Sequence, residues 1–336
     1  MKKILIFFCW LSIISCENSL IDLEVNDVRD QIIPQFSSME EVTSTIEMLM
    51  NMSQEERVEW EKDHGFKSFH TKCEEVYAMM QSIPFDTQEE VLEKVEEYSD
   101  YLQILEEDGE LELENVLYNS IYKYIIDENG FFRVENLFYK VFDQAIVGTN
   151  MSNLPKLSDL RWEDISSISS NPDFNIIVLA KLSTKKDAAY DAGRSDTDKS
   201  DQQKYDGRYR RVKLEIQLIR TKAMGITRID YERIITPQQK ILGIWWRYTV
   251  PNVSGDMDAR VDYELSPAGS PVEWDNERIT ETLSENNSDR IFENDIIYQS
   301  VYEENLDYHF GAFDCTATTS HITNYAIVRE NAYILN

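Results

Sequence analysis

The chain has 336 residues, with 62 acidic and 33 basic side chains and a formal net charge of −29 at pH 7. This length suffices for one large or two ordinary domains with a sizeable core. The excess of negative charge repels phosphate backbones and anionic lipid headgroups. It therefore argues against a nucleic-acid partner and against a basic membrane-binding patch.

The N-terminus has the layout of a cleaved secretory signal. Two lysines precede an apolar run, residues 4–14, and Ser15 is a small residue immediately before Cys16. The run is about half of the roughly 20 residues that span a bilayer, so a transmembrane helix is disfavoured. The ending resembles the lipobox of bacterial lipoproteins. That resemblance implies a signal peptide over residues 1–15, acylation of Cys16 and attachment to the membrane through the acyl chains.

Charge is distributed unevenly along the rest of the chain. Residues 16–150 contain 32 acids and 9 bases, whereas residues 151–336 contain 30 acids and 22 bases. Within the second half, residues 201–250 reverse the sign, with 11 bases and 5 acids. We interpret this basic stretch as a face that packs beside the acidic half, and the alternative is a site for an anionic ligand.

The mature chain is predicted to begin with a tether over residues 16–35, followed by an acidic helical region over residues 36–127. Capping-box patterns, in which Ser or Thr precedes Glu by three positions, occur at Ser53 and Thr87. Apolar spacing predicts helices that begin near Glu40, Ser53, His70 and Thr87, with the fourth continuing through Leu102 and Leu105, and a last helix around Leu117–Ile125.

Beyond Gly130 the apolar period changes to two, which predicts an antiparallel β-rich region over residues 128–336. The predicted segments are a hairpin of Phe131–Glu135 with Leu137–Phe142, then strands at Phe174–Leu182, Arg211–Leu218, Lys240–Val250, Ala259–Leu265, Asp295–Tyr302 and His321–Val328. We expect a turn at Pro237 to Gln239 and a mobile surface loop over residues 185–207. Strands that follow helices without alternating with them indicate an α+β fold.

Several N-terminal motifs, which cover about a third of the chain, carry a resemblance to a known group. They are Phe36-Ser37-Ser38-Met39-Glu40-Glu41, Met52-Ser53-Gln54-Glu55-Glu56-Arg57, Trp60-Glu61, Gly65-Phe66 and, after Asn129-Gly130, Phe138-Tyr139-Lys140. Together with the lipobox, their order resembles that of uncharacterised outer-membrane lipoproteins of the Bacteroidota type, a domain of unknown function. The group has no activity that could be carried over to this chain.

Motifs for catalysis and metal binding are missing from the sequence. It contains no nucleophile elbow, phosphate-binding loop, zincin helix or dinucleotide fingerprint, and only four histidines. The Asp-rich segment at residues 196–207 fails the calcium-loop pattern at its glycine and glutamate positions. His70 and Cys73 share a helical face, but no paired metal-binding motif accompanies them. We therefore predict no catalytic residue, cofactor or metal.

Two cysteines, Cys73 and Cys315, remain in the mature chain beside Cys16. In an exported protein they can form one disulfide. The other interpretation is a pair of buried thiols.

The dipeptide Trp245-Trp246 supplies a candidate ligand platform within the predicted strand Lys240–Val250. Adjacent strand residues point to opposite faces. Trp246 belongs to the more apolar face and should be buried, whereas Trp245 should be more exposed beside Arg247, where it could stack on a sugar or contact a protein. The alternative is that both faces of the strand are covered.

Two function hypotheses result. The favoured one is a non-catalytic lipoprotein of the cell envelope, anchored in the outer membrane, that binds a protein or a glycan. The alternative is a lipid-anchored hydrolase that uses carboxylates. An exposed aromatic patch would favour the binding protein, and a deep pocket with converging acids would favour the enzyme.

Overall fold

The computed structural model describes residues 33–50, 52–118, 120–142, 145–168, 170–178, 195–223, 226–265, 274–300 and 306–330. Its helices are α1 (Met39–Met50), α2 (Gln54–His64), α3 (Phe69–Ser82), α4 (Gln88–Glu97), α5 (Leu154–Ser158) and α6 (Ile165–Ile168). Its strands are β1 (Gln35–Phe36), β2 (Leu102–Glu107), β3 (Glu110–Asn115), β4 (Phe131–Val134), β5 (Leu137–Val141), β6 (Ala145–Asn150), β7 (Asn175–Val178), β8 (Ser195–Lys199), β9 (Gln203–Tyr205), β10 (Arg208–Ala223), β11 (Ile226–Ile241), β12 (Ile244–Arg247), β13 (Val250–Leu265), β14 (Trp274–Ser288), β15 (Ile291–Ser300), β16 (Leu306–Thr319) and β17 (Ala326–Glu330). The longer helices come first and mostly antiparallel strands follow, which confirms the α+β class.

Local chemistry fixes the ends of the helices as predicted. The Ser53 hydroxyl accepts a hydrogen bond from the Glu56 amide, and the Glu56 carboxylate accepts one from the Ser53 amide, a complete capping box. Gly65 ends α2 with a φ of 73°, a left-handed conformation that glycine adopts without steric cost. Thr87 caps α4 through the amide of Glu90.

The strands of the described residues form three sheets. One has the strand order β1-β4-β5-β6-β7, a second contains the path β2-β3-β12-β11-β10-β8, and a third has the order β14-β13-β16-β17. In the first, the predicted hairpin is present, with Phe132 opposite Tyr139. In the second, β15 also pairs with β11 and β9 with β10.

Two elements predicted as helical differ in the structure. The fourth helix ends at Glu97, and the chain turns before Leu102, where β2 begins and pairs with β3. Asp108 and Gly109 have φ values of 54° and 75°, so they form the two-residue turn that favours a hairpin over a continuing helix. The last predicted helix is reduced to a 3₁₀ turn at Ile121–Tyr124.

The strand and turn predicted around Pro237 are also wrong. β11 continues through Pro237, and the chain turns instead at Leu242 and Gly243, whose φ values are 49° and 87°. Pro237 lacks an N–H donor and lies where β11 changes its partner on one side. On that side β15 pairs with β11 as far as Ile235, and β12 pairs with it from Gln238 onwards. A proline is tolerated at such a break in the pairing. The predicted strand Lys240–Val250 is therefore divided among β11, β12 and β13.

The predicted mobile loop is only partly within the described residues, because residues 185–194 lie outside them. The remainder is ordered as two strands, β8 and β9, both paired with β10. Asp206 and Gly207, with φ values of 48° and 80°, form the turn between β9 and β10. Of the predicted strand Phe174–Leu182, residues 175–178 form β7 and residues 179–182 lie outside the described residues.

Among the residues that the structure describes, the apolar side chains form three clusters. The second and third sheets pack face to face through alternate residues of β10, including Val212, Leu214 and Ile216, and through Met257 and Ala317. A second cluster joins α1 and α3 to the first sheet. A third cluster places α3 and α4 against the edge of the second sheet formed by β2, β3 and β12.

Candidate functional site

The structure overturns the predicted platform at Trp245 and Arg247. Trp245 is fully buried and Trp246 is 2% exposed, so both faces of β12 are covered. Trp246 packs edge-on against Tyr77 of α3, with ring centroids 6.2 Å apart, while the Arg211 guanidinium lies 4.0 Å from the Trp245 ring centroid. Arg247 is buried as well. The prediction failed because charged side chains, rather than solvent, cover the second face.

Cys73 and Cys315 are free and buried, and they belong to different apolar clusters. The candidate disulfide is therefore not formed, and the alternative of two buried thiols is what the structure contains. Burial raises the pKa of Cys315 to about 11 and that of Cys73 further, so both thiols are protonated at neutral pH. The candidate lipidation residue, Cys16, lies outside the described residues.

The basic stretch packs against the acidic N-terminal half, as predicted. At its centre is Glu112 of β3, a buried carboxylate that accepts hydrogen bonds from Arg211 at 2.7 Å and from Lys213 at 2.9 Å. Lys199 of β8 lies 2.8 Å from the same carboxylate. Arg211 also contacts Glu110, and Lys213 lies 3.2 Å from Glu215. We refer to Glu110, Glu112, Lys199, Arg211, Lys213 and Glu215 as the Glu112 cluster.

A second ion cluster lies where β12 meets α3. Arg247 donates to Glu74 at 3.1 Å and to Asp289 at 3.3 Å, and Arg290 donates to Glu114. The pKa of Glu74 is lowered because these cations, Arg247 first, outweigh the effect of burial. Glu74 and Glu112, whose pKa values are lowered by their cationic partners, are ionised at neutral pH and cannot act as general acids.

Next to the second cluster is a small cavity with room for about one water molecule. It is lined by Phe69, His70, Cys73, Asn115, Val116, Tyr118, Lys123 and Arg290. Burial, reinforced by Arg290, lowers the pKa of Lys123 to about 7. The amine nevertheless donates to the carbonyl oxygen of Tyr118. A cavity of that size cannot hold a sugar or peptide substrate, since ligand pockets usually measure about 300–1,000 Å³.

An aromatic assembly at the surface brings together distant parts of the chain. Its members are Tyr205 of β9, Arg210 of β10, Tyr248 after β12 and His321 after β16, and we call it the Tyr205 stack. The rings of Tyr205 and His321 are nearly parallel, at 14°, with centroids 4.6 Å apart. Tyr248 stacks on His321 at 5.8 Å. Tyr205 is 43% exposed, so part of its ring is open to solvent.

Arg210 holds the stack together. Its guanidinium carbon lies 4.7 Å from the ring centroid of Tyr205 and 4.5 Å from that of Tyr248, and Nη1 donates to Nδ1 of His321 at 2.6 Å. Burial and the Arg210 charge lower the pKa of His321, so its imidazole is neutral at pH 7. The stack is therefore a rigid aromatic surface with one cation beneath it.

Hydrogen bonds fasten the β9 segment to the loop that carries His321. Gln203 donates to the Thr323 hydroxyl at 2.9 Å and accepts from the Thr323 amide at 2.9 Å. Between the adjoining strands, the amide of Ile327 in β17 donates to Asp198 of β8 at 2.7 Å. Sequence patterns do not reveal this site, because the polar composition of residues 185–207 predicts a mobile loop, although Asp206-Gly207 is a hairpin signal.

Within the part of the chain that the structure describes, no helix is long and apolar enough to cross a bilayer. No protein-family model matches the chain, and no curated protein matches it. Among solved structures, it is similar to a DUF4848 family protein from Bacteroides thetaiotaomicron, with 13% identity, coverage of 90% of this chain and 98% of that chain, and a TM-score of 0.31.

Proposed function

We propose that the chain is a non-catalytic, lipid-anchored lipoprotein of the cell envelope, held in the outer membrane through acylated Cys16, that binds a glycan at the Tyr205 stack. The observation that carries the proposal is the exposed ring of Tyr205, held in place by His321 and Arg210. A sugar ring has apolar C–H faces that pack on an aromatic ring and hydroxyl groups that need polar partners. Both kinds of contact are offered at this surface.

Preorganisation supports binding at this position. The stack is anchored by ring contacts and by the Gln203–Thr323 hydrogen bonds, so little side-chain entropy remains to be lost when a ligand binds. The alternative, a carboxylate-based hydrolase, needs one carboxyl that is protonated near neutral pH and one that is ionised. The converging acids of the two ion clusters are paired with cations, which favours the binding protein.

Glycan binding is tested with the mature chain carrying Cys16→Ser, so that it is soluble without acylation. A panel of immobilised glycans identifies a ligand, and calorimetry measures its affinity for the parent, Tyr205→Ala and Tyr209→Ala. Tyr209 is the matched control, because it is 50% exposed in the same hairpin but pairs with Lys204, on the opposite face from Tyr205.

We expect Tyr205→Ala to weaken binding by about tenfold, which corresponds to about 1.4 kcal/mol for a lost aromatic contact. Tyr209→Ala should stay within about twofold of the parent, since its ring is not part of the stack. Equal losses in the two variants, or no glycan bound by the parent, would contradict binding at the Tyr205 stack.

Anchoring is tested separately by metabolic labelling with an alkynyl fatty acid. The small residue and cysteine at positions 15 and 16 motivate the test. The wild-type chain should be labelled and fractionate with outer membranes, whereas Cys16→Ala should carry no label. Equal labelling of both chains would remove the lipid anchor from the proposal.

A further inference from the structure

A second exposed tyrosine belongs to the loop that carries His321. Tyr325 lies between β16 and β17 and is 57% exposed, compared with 43% for Tyr205. One exposed aromatic residue is ordinary on a protein surface. Tyr325, however, follows closely after His321, whose ring stacks on Tyr205. The contacts of this loop therefore show where Tyr325 lies relative to the Tyr205 stack.

The loop runs antiparallel to the segment that contains β8 and β9. Successive contacts show this: His321 stacks on Tyr205, Thr323 bonds to Gln203, Asn324 donates to the carbonyl oxygen of Asp201 at 3.4 Å, and Ile327 donates to Asp198. As the residue number rises in the loop, it falls in the partner segment. Tyr325 consequently lies beyond the Gln203–Thr323 pair, at the end away from Tyr205.

Burial alternates along the loop. Ile322 and Ala326 are buried in the apolar cluster between the second and third sheets, whereas Thr323 and Tyr325 are exposed. Alternate side chains of an extended segment point to the same side, so Tyr325 faces the side on which the Tyr205 stack lies. The chain from His321 to Tyr325 spans at most about 14 Å. The two exposed tyrosines therefore belong to one surface.

Hydrogen-bonding groups lie between the two exposed tyrosines. The Gln203 amide donates to the Thr323 hydroxyl at 2.9 Å, and both groups have further capacity, since the amide carries a second N–H and the hydroxyl a proton of its own. The order along the surface is thus an aromatic ring, polar groups and a second aromatic ring. A chain of sugar rings matches this order, because its C–H faces pack on aromatic rings and its hydroxyl groups need polar partners.

We propose that the ligand of the Tyr205 stack is an extended, uncharged oligosaccharide and that Tyr325 is its second stacking residue. This inference rests on the proposed glycan-binding function. One sugar ring packs on Tyr205 and a later ring of the same chain on Tyr325, with hydroxyl groups bonded to Gln203 and Thr323 between them. Both tyrosine rings are already exposed, so neither has to move. Asp201 is exposed beside this surface and the chain has a net charge of −29, so repulsion disfavours an anionic glycan.

The series from glucose to cellohexaose tests the inference, because these oligosaccharides are straight, uncharged and differ only in length. Calorimetry uses the mature chain with Cys16→Ser. Affinity should rise with length until the oligosaccharide reaches Tyr325 and should then stay constant. We expect the gain from the second aromatic contact to be about tenfold.

Variants locate the gain. Tyr325→Ala should leave the affinity for the shortest sugars within about twofold of the parent and remove the gain of the longer ones, whereas Tyr205→Ala should weaken binding of every member. Tyr325→Phe should keep the gain, because it retains the stacking face. Tyr209→Ala is the control, since Tyr209 is 50% exposed on the opposite face of the hairpin from Tyr205. Thermal melts establish that each variant is folded.

The outcomes separate the inference from the proposed function. If affinity does not depend on length, or if folded Tyr325→Ala keeps the full gain, the second stacking residue is refuted and binding at the Tyr205 stack stands. If a glycan of the panel binds at the stack but no member of the series does, the class of ligand is overturned. If no glycan binds at all, both ideas fail. If instead a lysine hexamer binds and Tyr325→Ala weakens it, the surface recognises a basic peptide and the inference is overturned.

Discussion

Removing the charge of Glu112 should destabilise the protein by about 3 kcal/mol at pH 7. Burial raises the pKa of this carboxyl, but Lys213, Lys199 and Arg211 outweigh burial and lower the pKa from 4.5 to about 2. Each pKa unit corresponds to about 1.4 kcal/mol, which gives the expected magnitude for Glu112→Gln. The loss should not be much larger, because each cation keeps a second carboxylate in Glu107, Glu110 or Glu215.

The pH dependence gives this prediction its sign. A carboxylate whose folded pKa is lowered stabilises the protein fully above its unfolded pKa of about 4.5, and the stabilisation is lost as pH falls towards 2. Urea denaturation of the wild type and Glu112→Gln should therefore show a gap of about 3 kcal/mol at pH 7 that shrinks by more than half at pH 3. Glu107→Gln is the control, since its half-exposed carboxylate should contribute at most about 1 kcal/mol. A gap that is the same at both pH values, or no larger than that of Glu107→Gln, would refute the reasoning.

Two further predictions concern the core. Trp245→Ala and Trp246→Ala should each lower the free energy of unfolding by about 3–5 kcal/mol in chemical denaturation, because both indoles are buried. The control Trp162→Ala, at a 44% exposed position, should change it by no more than about 0.5 kcal/mol. A small effect of Trp245→Ala would show that this ring is not enclosed. The mature chain with Cys16→Ser should show two reactive thiols when unfolded without reductant and none when folded, because Cys73 and Cys315 are free and buried. A count of zero in the unfolded chain would mean that the two cysteines form a disulfide.

Local signals predicted much of the fold. The capping residues Ser53 and Thr87 and the stop at Gly65 act within one turn of the helix, so the sequence pattern and the structure coincide there. The wrong predictions concern two Asp-Gly dipeptides. Asp108-Gly109 and Asp206-Gly207 are hairpin turns, but helical spacing obscured the first and a polar composition obscured the second. These two turns are the local signals that predict β2, β3 and the β9–β10 hairpin.

The candidate site could not be predicted in the same way. Its members Tyr205, Tyr248 and His321 are separated by 43 and 73 positions in the chain, and strand pairing brings them together. The alternation of Arg211, Lys213 and Glu215 with apolar residues is typical of a half-exposed strand, yet their polar face is buried because the acids of β3 pair with it. An apolar pattern with a period of two shows which residues share a face of a strand, but it does not show what covers that face.

The last prediction concerns Lys123, a buried lysine that lines the small cavity. Burial, reinforced by Arg290, lowers its pKa from 10.5 to about 7, so between these pH values the unfolded chain binds more protons and the stability of the wild type rises with pH. Lys123→Met removes a costly buried ammonium and should stabilise the protein by about 2–3 kcal/mol at pH 6, after allowance for the lost hydrogen bond to Tyr118. The advantage should shrink as pH rises towards 10.5.

Urea denaturation of both chains at pH 6 and pH 10 measures this gap, with Lys62→Met as an exposed control that should change stability by no more than about 0.5 kcal/mol. If Lys123→Met is instead less stable at pH 6 by a margin that persists at pH 10, Lys123 does not carry a cost of burial. If Lys123→Met is more stable than the wild type at pH 6 but not at pH 10, the charged lysine is destabilising because it is buried. In that case the cation–π contact of the Lys123 amine with the Phe292 ring, 4.1 Å away, offsets only part of the cost of burial.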